Sequence, residues 1–304
     1  MSQVLALYLA TILIWGSTWY VIEFQLGTVD PALSVAYRFG LAAVLLMGWL
    51  VLRRQRLIPP RHAWGQVAMV GTFNFSINYL LVYMATERLP SGLVAVAGSA
   101  LSLMNVLNAR LFLRQPIRPL VLLGGLVGMT GVVLLFLPEL RVGGLTGAAA
   151  VGLALVMLSN FSASVGSITV QRGARRGLPL LPVTAWSMAF GSALMVGVAL
   201  VRGATFTFPA TLTYVASLSY LALFGSVVAF LSYFSLIGRI GADRAGYVAV
   251  MIPILALIIS TLFEGYHWSP AAFAGLGLAV AGNLLVLGPK RLRRAPAPVP
   301  VTAD

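Results

Sequence analysis

The side chains that could bind a solute lie inside long apolar stretches of this sequence, and the third stretch holds four of them. Asn74 and Asn78 are four residues apart and share a helix face, as do Tyr79 and Tyr83. Two amides and two phenols supply hydrogen-bond donors, acceptors and aromatic faces, which suits an amphiphilic organic solute. The alternative is structural, with Asn bonding across helices and Tyr at the membrane interface. Because Asn78 and Tyr79 lie mid-stretch, we predict that they line a cavity.

Six more side chains from five other apolar stretches join this candidate substrate-binding set. Each offers a hydroxyl, an indole or a phenol to a solute. The Ser and Thr residues have an alternative role, because they also allow helices to pack closely. The complete set predicted to contact a substrate is Trp15, Thr18, Asn74, Asn78, Tyr79, Tyr83, Ser99, Ser162, Trp186 and Tyr233.

Arg38 and Pro253 are predicted to have gating or structural roles. Arg38 lies about two helical turns in from the outer end of the second stretch, which is its N-terminal end, at about 1.5 Å per residue. It could attract a substrate carboxylate, but snorkelling to the surface or pairing with Glu23 would also explain it. Pro253 removes a backbone hydrogen bond inside the ninth stretch, so it either kinks a gate helix or is merely tolerated.

The residue types exclude several kinds of chemistry. The chain has no cysteine and only two histidines, so thiolate sites, cysteine catalysis and a histidine metal cluster are excluded. It contains no HExxH helix, no paired membrane aspartates and no buried Ser/His pair that would indicate an intramembrane enzyme. We therefore expect no enzymatic activity, no metal and no cofactor.

Long apolar segments must position these side chains. Of the 304 residues, 60% are hydrophobic and 9% are charged, and the mean hydropathy is +0.96, as in a polytopic membrane protein. A helix needs roughly 17–25 apolar residues to cross about 30 Å of hydrocarbon, whereas a β-barrel needs shorter segments that alternate in polarity. The sequence predicts an all-α membrane protein with ten transmembrane helices: Leu5–Ile22, Ala32–Leu52, Trp64–Thr86, Ser91–Phe112, Leu120–Leu137, Gly147–Thr169, Val183–Val201, Tyr214–Ile237, Ala245–Phe263 and Ala271–Leu287.

The basic residues are divided unequally between the two sides of these spans. Over alternate connections and termini, sixteen Lys and Arg residues fall on one side and three on the other. Five of the seven acidic residues fall on the arginine-poor side. Positive loops remain in the cytoplasm, so we predict that both termini are cytoplasmic. The net charge of +13 is then an orientation signal rather than a nucleic-acid footprint.

A faint repeat relates the two halves of the chain. We assign the first five-helix repeat to residues 1–141, the second to residues 142–289, and a disordered, proline-rich cytoplasmic tail to residues 290–304. Five spans per repeat invert the second half, and inverted repeats are typical of secondary transporters with a substrate site near the midplane. Matching pairs in the two halves include Gly71 with Gly225, Tyr79 with Tyr233, Ser99 with Pro253, and Gly131 with Gly282.

Several motifs resemble a known family of transporters. They are Ile14-Trp15-Gly16-Ser17-Thr18-Trp19, Tyr37-Arg38-Phe39, and the stretch from Ala245 to Pro253 followed by Glu264. With the five-plus-five plan, they resemble the drug/metabolite transporter superfamily, EamA branch. The resemblance implies an exporter of amino acids or other metabolites, and the branch includes exporters of aromatic amino acids. One departure is that Leu113-Arg114-Gln115-Pro116 lacks the glutamate expected at the end of span four.

These observations predict an inner-membrane carrier that exports small organic solutes, foremost amino acids, by alternating access through a central cavity. Spans three, four, eight and nine line the path with spans one and six, while glycines in spans five and ten pack those helices outside it. Without a mid-membrane carboxylate, a facilitator is the simpler mechanism. A channel-like facilitator and an exporter of other metabolites or drugs are the alternatives. The predicted partners are a small-molecule substrate and the lipid bilayer, with a monomer and a homo-oligomer both open.

Overall fold

The structure is a computed structural model that describes residues 3–114, 119–143, 147–240 and 248–287. The predicted tail 290–304 and the first residues of span nine, 245–247, lie outside the described residues. The described residues form helices joined by short connections, and no strand occurs among them. The prediction of an all-α chain is confirmed.

Each predicted span contains one helix, and seven of the ten are continuous. These are α1 (Gln3–Glu23), α2 (Pro31–Leu52), α5 (Pro119–Gly143), α6 (Ala148–Arg175), α7 (Leu180–Val201), α9 (Val248–Phe263) and α10 (Pro270–Leu287). Within the described residues, eight helices are long and apolar enough to cross a membrane, and α9 and α10 provide two shorter apolar segments, Met251–Phe263 and Pro270–Leu285. Ten crossings in an inverted repeat therefore remain a prediction.

The other three helices are interrupted near their middle. α3 comprises Trp64–Thr72, a π-helical segment Phe73–Ile77 and Asn78–Thr86, and α8 comprises Leu212–Tyr220, a π-helical segment Leu221–Val228 and Ala229–Ile240. α4 comprises Ser91–Gly98 and Leu101–Leu113. π segments are rare and widen the helical turn, which leaves backbone carbonyls for other partners.

In both π segments, a serine hydroxyl donates a hydrogen bond to such a backbone carbonyl. Ser76 Oγ donates to the Gly71 carbonyl at 2.7 Å, and Ser226 Oγ donates to the Leu221 carbonyl at 2.9 Å, in each case five residues back. The π segments are therefore stabilised by side chains within their own helices.

Helix ends follow ordinary capping rules. Asp30 Oδ1 accepts from the Ala32 amide at 2.8 Å, and Pro31 occupies the first turn of α2, where its missing N–H is not needed. After α7, Gly203 has a φ of +67°, which is the left-handed conformation that ends many helices. The chain can therefore reverse direction within a few residues.

The helices pack in pairs drawn from both halves of the chain. α2 packs against α7, α5 against α10, and α4 against α9. The contacts of α1 with α8 and α9 have counterparts in those of α6 with α3 and α4, and α3 packs on α7 as α8 packs on α2. One apolar core lies among α2, α3, α7 and α8, and a second among α4, α5, α6, α9 and α10.

The α5–α10 pair is held together by glycines. A Cβ on Gly282 would lie 2.3 Å from the Gly128 amide nitrogen, and one on Gly131 would lie 2.4 Å from the Ala279 nitrogen. The backbones approach so closely that a side chain there would separate the helices. Close packing of these helices, predicted from the glycines, is confirmed for these positions, whereas Gly277 faces open space.

The two ends of the bundle differ in charge. We call the end that carries Glu23, Asp30 and Glu264 the acidic end, and the end that carries Arg53, Arg61 and Arg172 the arginine end. At the acidic end, Arg202 forms an ion pair with Asp30 at 3.4 Å. At the arginine end, Arg172 donates to the Phe112 carbonyl at 2.9 Å.

Candidate functional site

Arg38 is the most deeply buried charge among the described residues. Its side chain is 1% exposed, its Nε donates to Ser226 Oγ at 3.3 Å, and its guanidinium carbon lies 4.6 Å from the centre of the Tyr79 ring. Nη1 has no hydrogen-bond partner in the described part of the chain. Within that part, no carboxylate lies within 4.0 Å of Arg38, so the ion pair with Glu23 considered from the sequence is not formed. The side chain turns into the bundle rather than snorkelling to its surface.

The walls around Arg38 come from α1 and α8. Trp15 Nε1 donates to the Gly225 carbonyl at 3.3 Å, and Thr18 Oγ1 donates to the Trp15 carbonyl at 2.8 Å. A Cβ on Gly225 would lie 2.8 Å from Thr18 Cγ2 and 3.3 Å from Arg38 Nη2. Glycine at this position therefore lets α8 approach both α1 and the guanidinium. We call Trp15, Thr18, Arg38, Tyr79, Gly225 and Ser226 the Arg38 cluster.

Trp15 and Tyr79 of the Arg38 cluster belong to a continuous series of contacting aromatic rings. Neighbouring ring centres lie between 4.7 and 5.7 Å apart, mostly edge to face or tilted, which are favourable arrangements for aromatic pairs. The rings in order are Tyr233, Trp15, Phe230, Phe75, Phe39 and Tyr79. Of the predicted site residues, the structure thus brings Trp15, Thr18, Tyr79, Tyr83 and Tyr233 to the surroundings of Arg38.

A buried polar network lies between the Arg38 cluster and the acidic end. Tyr83, which is close to Arg38, donates its hydroxyl to Gln25 Oε1 at 3.1 Å, and Gln25 Nε2 donates to Ser217 Oγ at 3.3 Å. Gln25 and Tyr83 are both fully buried. The network joins α3 and α8 through the segment that follows α1, and it closes this side of the bundle.

A second contact closes the acidic end between α4 and α9. Glu264 Oε2 accepts from the Ser91 amide at 2.9 Å and from Ser260 Oγ at 2.6 Å. A carboxylate at the first amide of a helix is stabilised by the helix dipole. Glu264 therefore ties the end of α9 to the start of α4.

Asn78 and Ser162 bond between α3 and α6, and Asn74 packs on Gly166 of α6. Ser159 Oγ donates to Asn78 Oδ1 at 2.7 Å, Asn78 Nδ2 donates to the Asn74 carbonyl at 3.2 Å, and Ser162 Oγ donates to the Phe73 carbonyl at 2.6 Å. The last bond satisfies a carbonyl at the start of the π segment. For Asn78 this arrangement matches the interhelical alternative that the sequence left open.

Ser99 and Pro253 both mark irregular helix geometry. Ser99 lies at the break in α4, where the Ser99 and Ala100 amides donate three residues back, at 3.0 and 3.2 Å. The Ala97 carbonyl also accepts from Asn160 Nδ2 of α6, at 2.9 Å. Pro253 is buried inside α9, where it supplies no amide hydrogen.

Trp186 is separate from the other predicted site residues. Its Nε1 donates to the Leu57 carbonyl at 3.1 Å, and its ring lies 5.1 Å from that of Trp64. These neighbours lie at the arginine end of α2 and α3. The structure therefore places Trp186 at an end of the bundle rather than in the Arg38 cluster.

Sequence reasoning missed Gln25 and Ser226 as site residues. Gln25 follows the first predicted span and was assigned to a connection, and Ser226 is one hydroxyl in an apolar run. The only available signal was that Gly225 matches Gly71 between the halves, which marks a close approach but does not identify its neighbour.

Comparisons with known proteins identify a family and several relatives of this chain. The EamA-like transporter family matches residues 2–137 and 150–288. A protein named uncharacterized inner membrane transporter YedA, from Escherichia coli strain K12, is 29% identical over 299 residues, covering 97% of this chain and 94% of that protein. Protein PecM of Dickeya dadantii strain 3937 is 27% identical over 274 residues, covering 90% of this chain and 88% of PecM.

A solved crystal structure shares the fold. It superimposes with a TM-score of 0.68 at 19% identity and covers 93% of this chain and 96% of the solved chain. The match of the family to most of the sequence confirms the resemblance predicted from the Trp-Gly-Ser and Tyr-Arg-Phe motifs. The chain belongs to the EamA-like transporter family and is a multi-pass membrane transporter.

Proposed function

We propose that this transporter exports small organic solutes, foremost amino acids, by alternating access between two inverted five-helix halves. The observation that carries the proposal is the composition of the Arg38 cluster. Trp15, Thr18, Arg38 and Tyr79 come from the first half, and Gly225 and Ser226 come from the second. Movement of one half against the other would therefore reshape the cluster directly.

The packing pattern supports an inverted relation between residues 1–141 and 142–289. The principal helix contacts either join equivalent helices of the two halves or occur as related pairs, as an internal pseudo-twofold requires. The π segments occur in α3 and α8, which are equivalent under the proposed repeat. The break at Ser99 in α4 matches Pro253 in α9. Interrupted helices at corresponding positions are the feature that marks transport sites in such proteins.

The direction of opening follows from how α4 packs. Its first part, Ser91–Gly98, packs on α9 near the acidic end, whereas its second part, Leu101–Leu113, packs on α6, α5 and α10. Among the described residues, α4 contacts α9 mainly through its first part, so in this proposal the two helices separate toward the arginine end. With the arginine end in the cytoplasm, this is the state in which an exporter takes up its solute.

The Arg38 cluster suits an amino acid with an apolar or aromatic side chain. It combines a cation, hydroxyl and indole groups, and a series of aromatic rings. In this proposal Trp15, Thr18, Tyr79 and Tyr233 contact the solute, and Tyr83 and Pro253 belong to the moving parts. Asn74, Asn78, Ser99 and Ser162 line the path where α3, α4 and α6 meet. The cluster contains no carboxylate to carry a proton, which favours a facilitator.

A thermal-shift screen of the purified transporter tests the substrate class. A ligand that binds the folded state stabilises it by about 2.7 kcal/mol at a hundred times its Kd. We expect one or more of the twenty amino acids, with apolar and aromatic ones foremost, to raise the melting temperature. The proposal fails if no amino acid produces a saturable shift while sugars, nucleosides or polyamines do.

A further inference from the structure

We infer that the Arg38 guanidinium is the group that binds the carboxylate of the transported solute. The inference rests on the proposed function in one respect, because it requires the Arg38 cluster to lie on the transport path. It goes further by assigning one atom group of the solute to one side chain. It predicts that organic carboxylates are accepted and that the same molecules without a carboxylate are rejected.

The positive charge of Arg38 is buried without a counter-ion among the described residues. An arginine remains protonated in proteins, and its side chain here is 1% exposed. Ser226 is a neutral partner, and the faces of Tyr79 and Phe39, 4.6 and 5.3 Å from the guanidinium carbon, offer only partial compensation. Across the described ranges no carboxylate lies within 4.0 Å. A buried charge without a counter-ion is costly, so the cluster lacks one negative charge.

The guanidinium of Arg38 also has free hydrogen-bonding capacity. Nε is occupied by Ser226, while Nη1 has no partner among the residues described. The nearby Tyr83 phenol donates its hydrogen to Gln25, so only its oxygen is left to face the guanidinium. Nη2 faces Gly225, whose lack of a side chain lets the α8 backbone pack close to the guanidinium. A carboxylate oxygen would satisfy Nη1 with a charge-assisted bond, the strongest class of hydrogen bond available to this group.

The surroundings of that position fit the rest of an amino acid. Trp15 and Tyr79 are half-buried, and their rings flank the cluster. An ammonium group is attracted to such ring faces, and an apolar side chain also packs on them. The solute would supply the missing anion and find a neutral aromatic site for its other end. When the solute leaves, Arg38 would again lack a counter-ion. This favours either binding of another solute molecule or a conformational change of the transporter.

The test is competition with solutes matched in all but the carboxylate. The wild-type transporter is reconstituted in proteoliposomes, and uptake of labelled L-phenylalanine, L-leucine or phenylacetate is competed with the unlabelled solute or with its carboxamide, which is L-phenylalaninamide, L-leucinamide or phenylacetamide respectively. We expect each carboxylate to half-saturate at a concentration about tenfold or more below that of its carboxamide. Equal competition by the carboxamides would overturn the inference without any variant.

Substitutions then assign the preference to Arg38. We expect Arg38→Gln to raise the half-saturating concentration of the carboxylates about 10- to 100-fold, and Arg38→Lys to fall between, because lysine keeps the charge but not the planar fork. Arg202→Gln is the matched control, since it removes only the exposed ion pair with Asp30, and it is expected to leave uptake unchanged. Melting temperatures check folding, and Arg38→Gln should melt no lower than wild type because it removes an unpaired buried charge.

The outcomes separate this inference from the proposed function. Arg38-dependent uptake of phenylacetate without uptake of any amino acid would reject amino-acid export and leave the inference standing. Amino-acid uptake that is indifferent to the carboxylate, or unchanged in folded Arg38→Gln, would leave the export function and overturn the inference. If none of the carboxylates binds wild type, both are wrong.

Discussion

Individual polar side chains in this bundle are held by partners on other helices. Gln25 links Tyr83 of α3 to Ser217 of α8, and all three are buried. Removal of one partner leaves the other desolvated and unpaired, which costs more than the hydrogen bond contributes in net terms. These residues should therefore be sensitive to single-atom changes.

Tyr83→Phe tests this at one oxygen atom. We expect a loss of about 1–3 kcal/mol of stability, because Gln25 Oε1 would be left buried without its donor. The measurement is thermal or denaturant unfolding of the purified protein. Tyr37→Phe is the control, since the Tyr37 hydroxyl bonds to Thr207 at an exposed site and water can replace it. Equal destabilisation by the two variants would contradict the assigned role.

The sequence located some of these residues but not their partners. The depth of Arg38 follows from its position in an apolar run, yet its bond to Ser226 joins residues 188 positions apart and no local pattern predicts it. Trp186 was predicted to line the cavity, although it lies only six residues from the first residue of α7. Residue type does not show how deep in the membrane a side chain lies, and tryptophan is common at the membrane interface.

At the level of helices, one pair is continuous and joined backbone to backbone, whereas three other helices are interrupted. α5 and α10 are uninterrupted and packed through glycine, whereas α3, α4 and α8 contain π segments or a break. The glycine spacing predicted the first property because a missing side chain has a steric consequence. The π segments have no such pattern in the sequence, since their widened turns are stabilised by ordinary serines.

Gly282→Ala tests the packing role of α5 and α10. The new Cβ would lie 2.3 Å from the Gly128 nitrogen and 2.5 Å from the Gly124 carbonyl oxygen, so the backbones must separate. We expect a destabilisation of about 1–3 kcal/mol, as for overpacked cores. Unfolding measurements report the change.

Gly277→Ala is the matched control on the same helix. Nothing lies within 4 Å of its Cβ position, so the substitution should be neutral or should stabilise α10 by up to about 1 kcal/mol through helix propensity. If the two alanine variants unfold alike, the α5–α10 contact does not depend on Gly282.

For the molecule as a whole, the two ends of the bundle have different roles in the proposed cycle. The acidic end is closed by Gln25 and Glu264, and in the described residues α9 contacts α4 mainly through the first part of α4. Alternating access requires the acidic end to open when solute is released there. Residues buried behind this closure should therefore become accessible only during transport.

Ser217→Cys measures that opening, because the chain contains no cysteine of its own. Ser217 is 5% exposed, so we expect little labelling by a membrane-impermeant maleimide in right-side-out vesicles without solute and faster labelling in its presence. Thr205→Cys, at an exposed position in the connection between α7 and α8, should be labelled from the same side under both conditions. Labelling of Ser217→Cys that is rapid without solute, or unaffected by solute, would contradict the closed state. Labelling of Thr205→Cys only from the opposite side would reverse the predicted orientation.

Counterflow in proteoliposomes tests the central claim most directly. A carrier that reorients with bound solute exchanges labelled for unlabelled amino acid faster than it gives net flux, and it saturates. The account predicts that unlabelled L-phenylalanine or L-leucine inside the vesicles accelerates saturable uptake of the labelled amino acid, and that a pH gradient is not required. Uptake that rises linearly with concentration and ignores the internal amino acid would indicate a channel and contradict alternating access.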